Sequence, residues 1–187
     1  EYQQEAIKAI VDIFEGQEIC RTNFTVAPLQ NSDGQASMFN TDLGVGNKLS
    51  LIDEELLENV QKIQLRNGLK QTKTLASKDF SIEMETGTGK TYVYLRSIFE
   101  MNQKFGFTKF IIVVPSIAIK EGTNKSLDIT KDHFKGIYDN VNYDFFTYDS
   151  SKLEQVRSFA TNDYIQIMVI NIDAFRKSFT DPSKEIN

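Results

Sequence analysis

Cysteine and histidine are almost missing from this chain: Cys20 and His133 are the single examples in 187 residues. One cysteine cannot close an internal disulfide. With no companion at metal-ligand spacing, Cys20 reads as a small inert side chain in a reducing cytosol. One histidine excludes a multi-histidine metal centre, and His133, among Lys131, Asp132 and Lys135, reads as a solvated helix residue. A positive field is lacking too. The net charge is −5, so any contact with nucleic acid has to be local, through backbone amides, hydroxyls and a few lysines. The charge balance by itself weighs against that role. The sequence shows no signal-peptide pattern and no apolar run long enough to cross a bilayer, which makes a cytoplasmic chain without membrane the expectation.

The length suffices for one sizeable core, or for one domain with an extra arm. The chain opens on Tyr2-Gln3-Gln4-Glu5-Ala6-Ile7-Lys8-Ala9-Ile10-Val11-Asp12-Ile13-Phe14, apolar at helical spacing, with Gly16 as its stop. Residues 21–48 are polar and rich in Gly, Asn and Asp. They read as a long, mobile loop with room for short strands. Beyond it Ile52, Leu56, Leu57, Val60 and Ile63 share one helical face, ended by Asn67-Gly68. Glu54, Glu58, Lys62 and Arg66 take the opposite face, as on a surface helix packed against a core.

The most informative stretch is Met84-Glu85-Thr86-Gly87-Thr88-Gly89-Lys90-Thr91. Gly87 and Gly89 let the backbone curl so that successive N–H groups face one concavity, which a polyphosphate can fill without meeting a Cβ. Lys90 offers a mobile cation to the β/γ-phosphates and Thr91 a hydroxyl for Mg²⁺. A helix starting at Lys90 directs its positive end to the same anion. The alternative is a Gly-Thr turn that happens to precede Gly-Lys-Thr. The flanks favour the loop: residues 80–84 alternate as a strand entering it, and Tyr92-Val93-Tyr94-Leu95 with Ile98, Phe99 and Met101 predicts a buried helix leaving it, closed by Gly106. The general pattern begins with Gly, whereas this chain has Met84, a departure toward helicase-like enzymes.

Strand and helix then alternate. Phe110-Ile111-Ile112-Val113-Val114 predicts a strand buried on both faces. Ser116 can cap the next helix, expected to break near Gly122 and resume through Leu127 and Ile129 to Phe134. Residues 143–148 predict a second strand. Ser151-Lys152-Leu153-Glu154 has the pattern of a capping box before a short helix. Ile165-Gln166-Ile167-Met168-Val169-Ile170-Asn171-Ile172 predicts a third strand. The rhythm argues for a parallel sheet covered by helices, with a ligand at the carboxyl ends of its strands.

On these residues the chain resembles the helicase-like superfamily-two motor domain of type III restriction endonucleases, the Res subunit. The distinctive stretches are residues 80–96, Val113-Val114-Pro115-Ser116-Ile117-Ala118-Ile119, and Met168-Val169-Ile170-Asn171-Ile172-Asp173-Ala174-Phe175. The resemblance implies an α/β, RecA-like P-loop NTPase domain with a parallel sheet and flanking helices, truncated before the Walker B strand. In that division residues 1–16 are an adenine-sensing helix, 21–79 a family-specific arm, and 80–187 the core with the loop. It further implies ATP and Mg²⁺ as cofactors, with Lys90 and Thr91 catalytic, Thr91 on the metal, and Gln3, Glu85, Thr86, Gly87, Thr88, Gly89, Lys90, Thr91 and Tyr92 around the nucleotide. Gln3 suits the base because an amide offers a donor and an acceptor; a helix-surface glutamine is the competing reading.

The same resemblance places Pro115, Ser116, Lys120 and Asn171 on the DNA backbone. An exposed helix lysine and a strand-to-loop cap are the competitors for Lys120 and Asn171. Its implied partners are double-stranded DNA and a methyltransferase (modification) subunit. Hydrolysis in such motors needs an Asp-Glu pair on a later strand. Asp149 and Asp173 follow apolar strands, but neither belongs to such a pair. The chain is therefore expected to be the N-terminal part of a larger subunit, with DNA cleavage done elsewhere. The alternatives are another superfamily-two ATPase, such as an RNA or DNA helicase or a type I restriction motor, or a nucleotide-binding module that does not hydrolyse.

Overall fold

The computed structural model describes residues 2–26 and 42–180, and much of the polar arm, residues 27–41, lies outside them. The described residues form two units, one drawn from residues 2–20 and 48–107, the other from residues 21–26, 42–47 and 108–180.

The first unit is helical. α1 (Tyr2–Asp12) buries Ile7 and Val11, α2 (Asp53–Arg66) buries Leu56, and α3 (Lys90–Phe105) buries Val93, Leu95, Ile98 and Phe99. Each stripe follows the 3.6-residue period, so burial of these side chains is what holds three short helices together. Phe14 closes one end, with its ring 5.6 Å from Phe107 and 6.3 Å from Phe105. α1 ends at Asp12, earlier than expected, because the chain tightens into turns through Phe14 N–H on Val11 C=O and Gln17 N–H on Phe14 C=O. Ile52 does not join the buried face of α2. It is the residue before the helix and is 58% exposed, its N–H held by the Glu55 carboxylate at 3.0 Å. Gly68 and Gly106 do end α2 and α3, both at positive φ.

Residues 80–84 are not a strand. Alternation alone cannot make one, because a strand needs a neighbour to take its backbone hydrogen bonds, and among the described residues none pairs with this segment.

The second unit is mixed. β3 (Lys109–Val114), β4 (Tyr143–Thr147) and β5 (Ile165–Asn171) form a parallel sheet in the order β3-β5-β4. Lys109 is in register with Gln166, and Tyr143 with Ile165. The central strand β5 is buried from Ile165 to Ile170, as its unbroken apolar run requires. β3 is not buried on both faces: Ile111 is 48% and Val113 42% exposed. An edge strand has a neighbour on one side only, so hydrophobicity did not guarantee cover.

Helices α4 (Ile117–Ile129), α5 (Lys131–Ile137), α6 (Leu153–Thr161) and α7 (Ile172–Thr180) flank this sheet. α4 runs unbroken through Gly122 and the break falls at Thr130 instead. Hydroxyls at Thr123, Ser126 and Thr130 return to the carbonyls four residues earlier, at 2.7–2.9 Å, and the helix absorbs the glycine. The capping box at Ser151 does not form. Lys152 stands at the cap position of α6, and Ser151 donates to Asp149 at 2.7 Å.

The near ends of the polar arm are an antiparallel ribbon, β1 (Arg21–Val26) with β2 (Asp42–Asn47), in which Phe24 lies over its register partner Gly44. Arg157 of α6 grips Asp42 at 2.6–2.7 Å. Asn47 acts as a one-residue strand partner for β3. Its Oδ1 accepts from Thr108 and Lys109 N–H at 2.8 and 3.1 Å, and its Nδ2 donates to Lys109 C=O at 2.7 Å.

Candidate phosphate-binding loop

The residues with the strongest chemical pattern converge in the first unit. A turn at Thr86-Gly87 is tied by Thr88 Oγ1, which donates to Glu85 C=O at 2.7 Å. Gly87 has φ 81° and Gly89 has φ 87°, the left-handed region where an L side chain is strained. Among the described residues, chain neighbours apart, no atom lies within 4 Å of where a Cβ on Gly87 would stand, so the turn is open on that side.

Gly89 is the cap residue of α3 and no side chain caps it. The helix's own ladder begins with Val93 N–H on Gly89 C=O at 3.1 Å. The N–H groups of Gly89, Lys90 and Thr91 precede that bond, where a helix offers its first amides no internal acceptor. No acidic residue occupies the first turn, and Lys90 is exposed there. A helix start that no side chain caps, its positive end and an exposed lysine suit an anion of several charges. Thr91, half-buried on the same turn, brings the hydroxyl that a phosphate-bound cation would use.

Gln3 reaches this loop from α1, its Nε2 donating to Thr88 C=O at 2.9 Å. Its amide also packs where a Cβ of Gly89 would go. Tyr92 accepts from Arg96 Nη1 at 3.3 Å, and Arg96 pairs with Glu100 at 3.6 Å, so a polar ladder runs down α3 from the loop.

The remaining singled-out residues belong to the second unit. Pro115 is exposed in the bend after β3. Ser116 caps α4 through Oγ, which accepts from Ile119 N–H at 3.3 Å. Lys120 approaches Glu121 at 4.0 Å. Asn171 Oδ1 accepts from Asp173 N–H at 2.8 Å, a cap at the strand-to-helix junction before α7. Asp149 accepts from Ser151 N–H and Oγ, and these bonds, Ser151's hydroxyl first, hold its carboxyl below the ordinary range. Two residues that periodicity did not flag also matter locally: Asn59, buried on α2, and Asn47, the last residue of β2, whose side chain bonds the backbone where β3 begins. Only their polarity amid an apolar or turn pattern could have marked them.

Helices around a parallel sheet, joined to a glycine loop that opens a helix with Lys-Thr, define a mixed α/β domain of the RecA-like kind. Residues 1–186 match the family described as type III restriction enzyme, res subunit, and the chain belongs to that family. The EcoPI Res subunit of the type III restriction-modification enzyme of Escherichia phage P1 is 41% identical over 100 residues, covering 51% of this chain and 10% of that protein. The EcoP15I Res subunit of Escherichia coli is 41% identical over 96 residues, 49% of this chain and 10% of the relative. The StyLTI Res subunit of Salmonella typhimurium strain LT2 is 38% identical over 108 residues, 57% and 10%. The matched stretch thus spans a small part of each relative's length. Among the described residues no helix is long and apolar enough to cross a membrane.

Proposed function

We propose that this chain is the ATP-binding portion of an ATP-dependent, helicase-like DNA translocase subunit of a type III restriction endonuclease. One observation carries the reading: two left-handed glycines present the uncapped start of α3, with Lys90 and Thr91 on its first turn. Residues 85–91 would cradle the phosphates with backbone amides, and Gln3 and Tyr92 would lie toward the base. Lys90 would neutralise charge on the transferred phosphoryl group and Thr91 would hold Mg²⁺. Pro115, Ser116, Lys120 and Asn171 would meet phosphates of double-stranded DNA without reading its bases. In the whole protein a methyltransferase subunit would supply site recognition, a separate C-terminal domain would cut, and the complex would work in the cytoplasm. Residues 1–16, 21–79 and 80–187 would then serve as base-sensing helix, arm and loop-bearing core.

Titration with a fluorescent ATP analogue tests this reading. Saturable binding that Lys90→Ala abolishes is expected, and equal binding by the variant refutes the assignment. A parallel phosphate-release measurement separates a motor from a nucleotide-binding module that does not hydrolyse. The module reading has one observation in its favour, since the Asp149 carboxylate is committed to the Ser151 turn.

A further inference from the structure

The shape of the glycine loop has to be imposed, because glycine does not choose it. Gly87 and Gly89 permit φ of 81° and 87°, yet a glycine visits negative φ about as readily. Within the loop, Thr88 Oγ1 donates to Glu85 C=O at 2.7 Å and closes the turn before Gly89. From outside it, Gln3 on the first turn of α1 donates through Nε2 to Thr88 C=O at 2.9 Å. The same amide packs against Gly89, on the side where any other residue would carry its Cβ. One side chain therefore holds the Thr88–Gly89 peptide at its oxygen and at the Cα that follows.

That peptide sets where the amide of the second glycine points. In a planar trans unit the C=O and the N–H face opposite ways. With the Thr88 carbonyl drawn toward Gln3, the Gly89 N–H is turned away from α1, and swinging the plane would break the Gln3 bond. The support is firm, since α1 is packed on α3 and buries Ile7 and Val11. A cup of amides binds an anion best when its donors already converge, because ordering them on binding costs affinity.

From this geometry we infer that Gln3 is a positioning residue for the phosphate loop. It fixes the direction of the Gly89 N–H, and so acts on the phosphates of any nucleoside triphosphate, whatever the base. The inference deepens the proposed function and rests on its reading of residues 85–91 as the phosphate site. It differs from base sensing, which would act on adenine nucleotides alone.

The discriminating probe is inorganic tripolyphosphate with Mg²⁺, which carries phosphates and no base, titrated by calorimetry beside ATP and GTP. Gln3→Ala should weaken all three by a similar factor, about three- to tenfold, the range for loss of one hydrogen bond. Gln3→Glu keeps the shape but replaces the donor with a carboxylate, and should weaken them at least as much. Asn59→Ala removes buried hydrogen bonds of α2 rather than of the loop, and should leave tripolyphosphate binding unchanged. Equal weakening by Asn59→Ala would reduce the effect to general loosening and overturn the inference. A Gln3→Ala chain that loses affinity for ATP alone, or for none of the three, would overturn it too. Lys90→Ala separates this inference from the reading beneath it. If Lys90→Ala weakens tripolyphosphate and Gln3→Ala does not, only the role of Gln3 falls; if neither does, the phosphate site falls with it.

Discussion

Gln3 and Gly89 occupy each other's space: the Gln3 amide, donating to Thr88 C=O at 2.9 Å, sits where a Cβ on residue 89 would go. Gly89→Ala therefore meets two penalties, a left-handed backbone at φ 87° and an overlap with Gln3. Gly87→Ala meets only the first, about 1–2 kcal/mol, because its Cβ would enter open space. Thermal or urea unfolding should thus rank Gly89→Ala as the more destabilised. Adding Gln3→Ala should restore part of the loss at position 89 and nothing at 87. Strict additivity at position 89 would mean that the contact carries no energy.

Asn59 is 6% exposed on α2 and donates to Ile13 C=O at 3.1 Å and Glu15 C=O at 2.8 Å. These carbonyls lie in the turns that follow α1, so one side chain of α2 takes up backbone acceptors just beyond the end of the other helix. Asn59→Ala should destabilise the chain by about 1–3 kcal/mol, the range for leaving buried acceptors unpaired. A urea midpoint that does not move would show that water replaces the amide.

Some ends of elements were marked in the sequence, while those expected at Gly16, Gly122 and Ser151 fell elsewhere or did not form. Asn67-Gly68, Gly106 and Ser116 each stop or start a helix as their backbone preferences demand, because these effects are local. The runs at β3, β4 and β5 also form strands. What could not be read was pairing: residues 80–84 and 165–172 both look like strands, yet only the second finds neighbours. The glycine loop was legible because its requirement for φ > 0 is written in residue type. The Gln3–Thr88 bond spans 85 positions and has no local signature.

Lys109 gives a pH dependence with a definite sign. Burial, opposed by Asp163 and aided by Arg21, pulls its amine from 10.5 down to about 8, while it donates to Asn162 C=O near the Phe159 ring. Between those values the unfolded chain still holds a proton that the folded chain has released. Stability must then rise with pH across that window. Tyr143 acts in the opposite sense. Burial first, then Asp128 and Asp132, raise its phenol from 10.0 to about 12, so its contribution falls as pH climbs above 10.0. Urea midpoints should increase from about pH 8, then level or fall, and Lys109→Met should remove the rise; a rise that persists in the variant would exclude Lys109 as its source.

The open edge of β3 predicts how the isolated chain behaves in solution. Gln166 N–H bonds Thr108 C=O at 2.7 Å, which fixes the phase of the ladder. Lys109, Ile111 and Val113 then turn their backbone groups away from β5. Asn47 satisfies Lys109, but no described strand takes Ile111 or Val113, whose side chains are 48% and 42% exposed. An apolar edge with unpaired backbone groups is a template for another strand. The purified chain should self-associate as concentration rises, and Ile111→Lys with Val113→Lys should suppress this. The lysines leave stability within about 0.5 kcal/mol, as expected for exposed positions. Sedimentation velocity decides the matter, because a parent chain that stays monomeric at every accessible concentration would show that this edge is already protected.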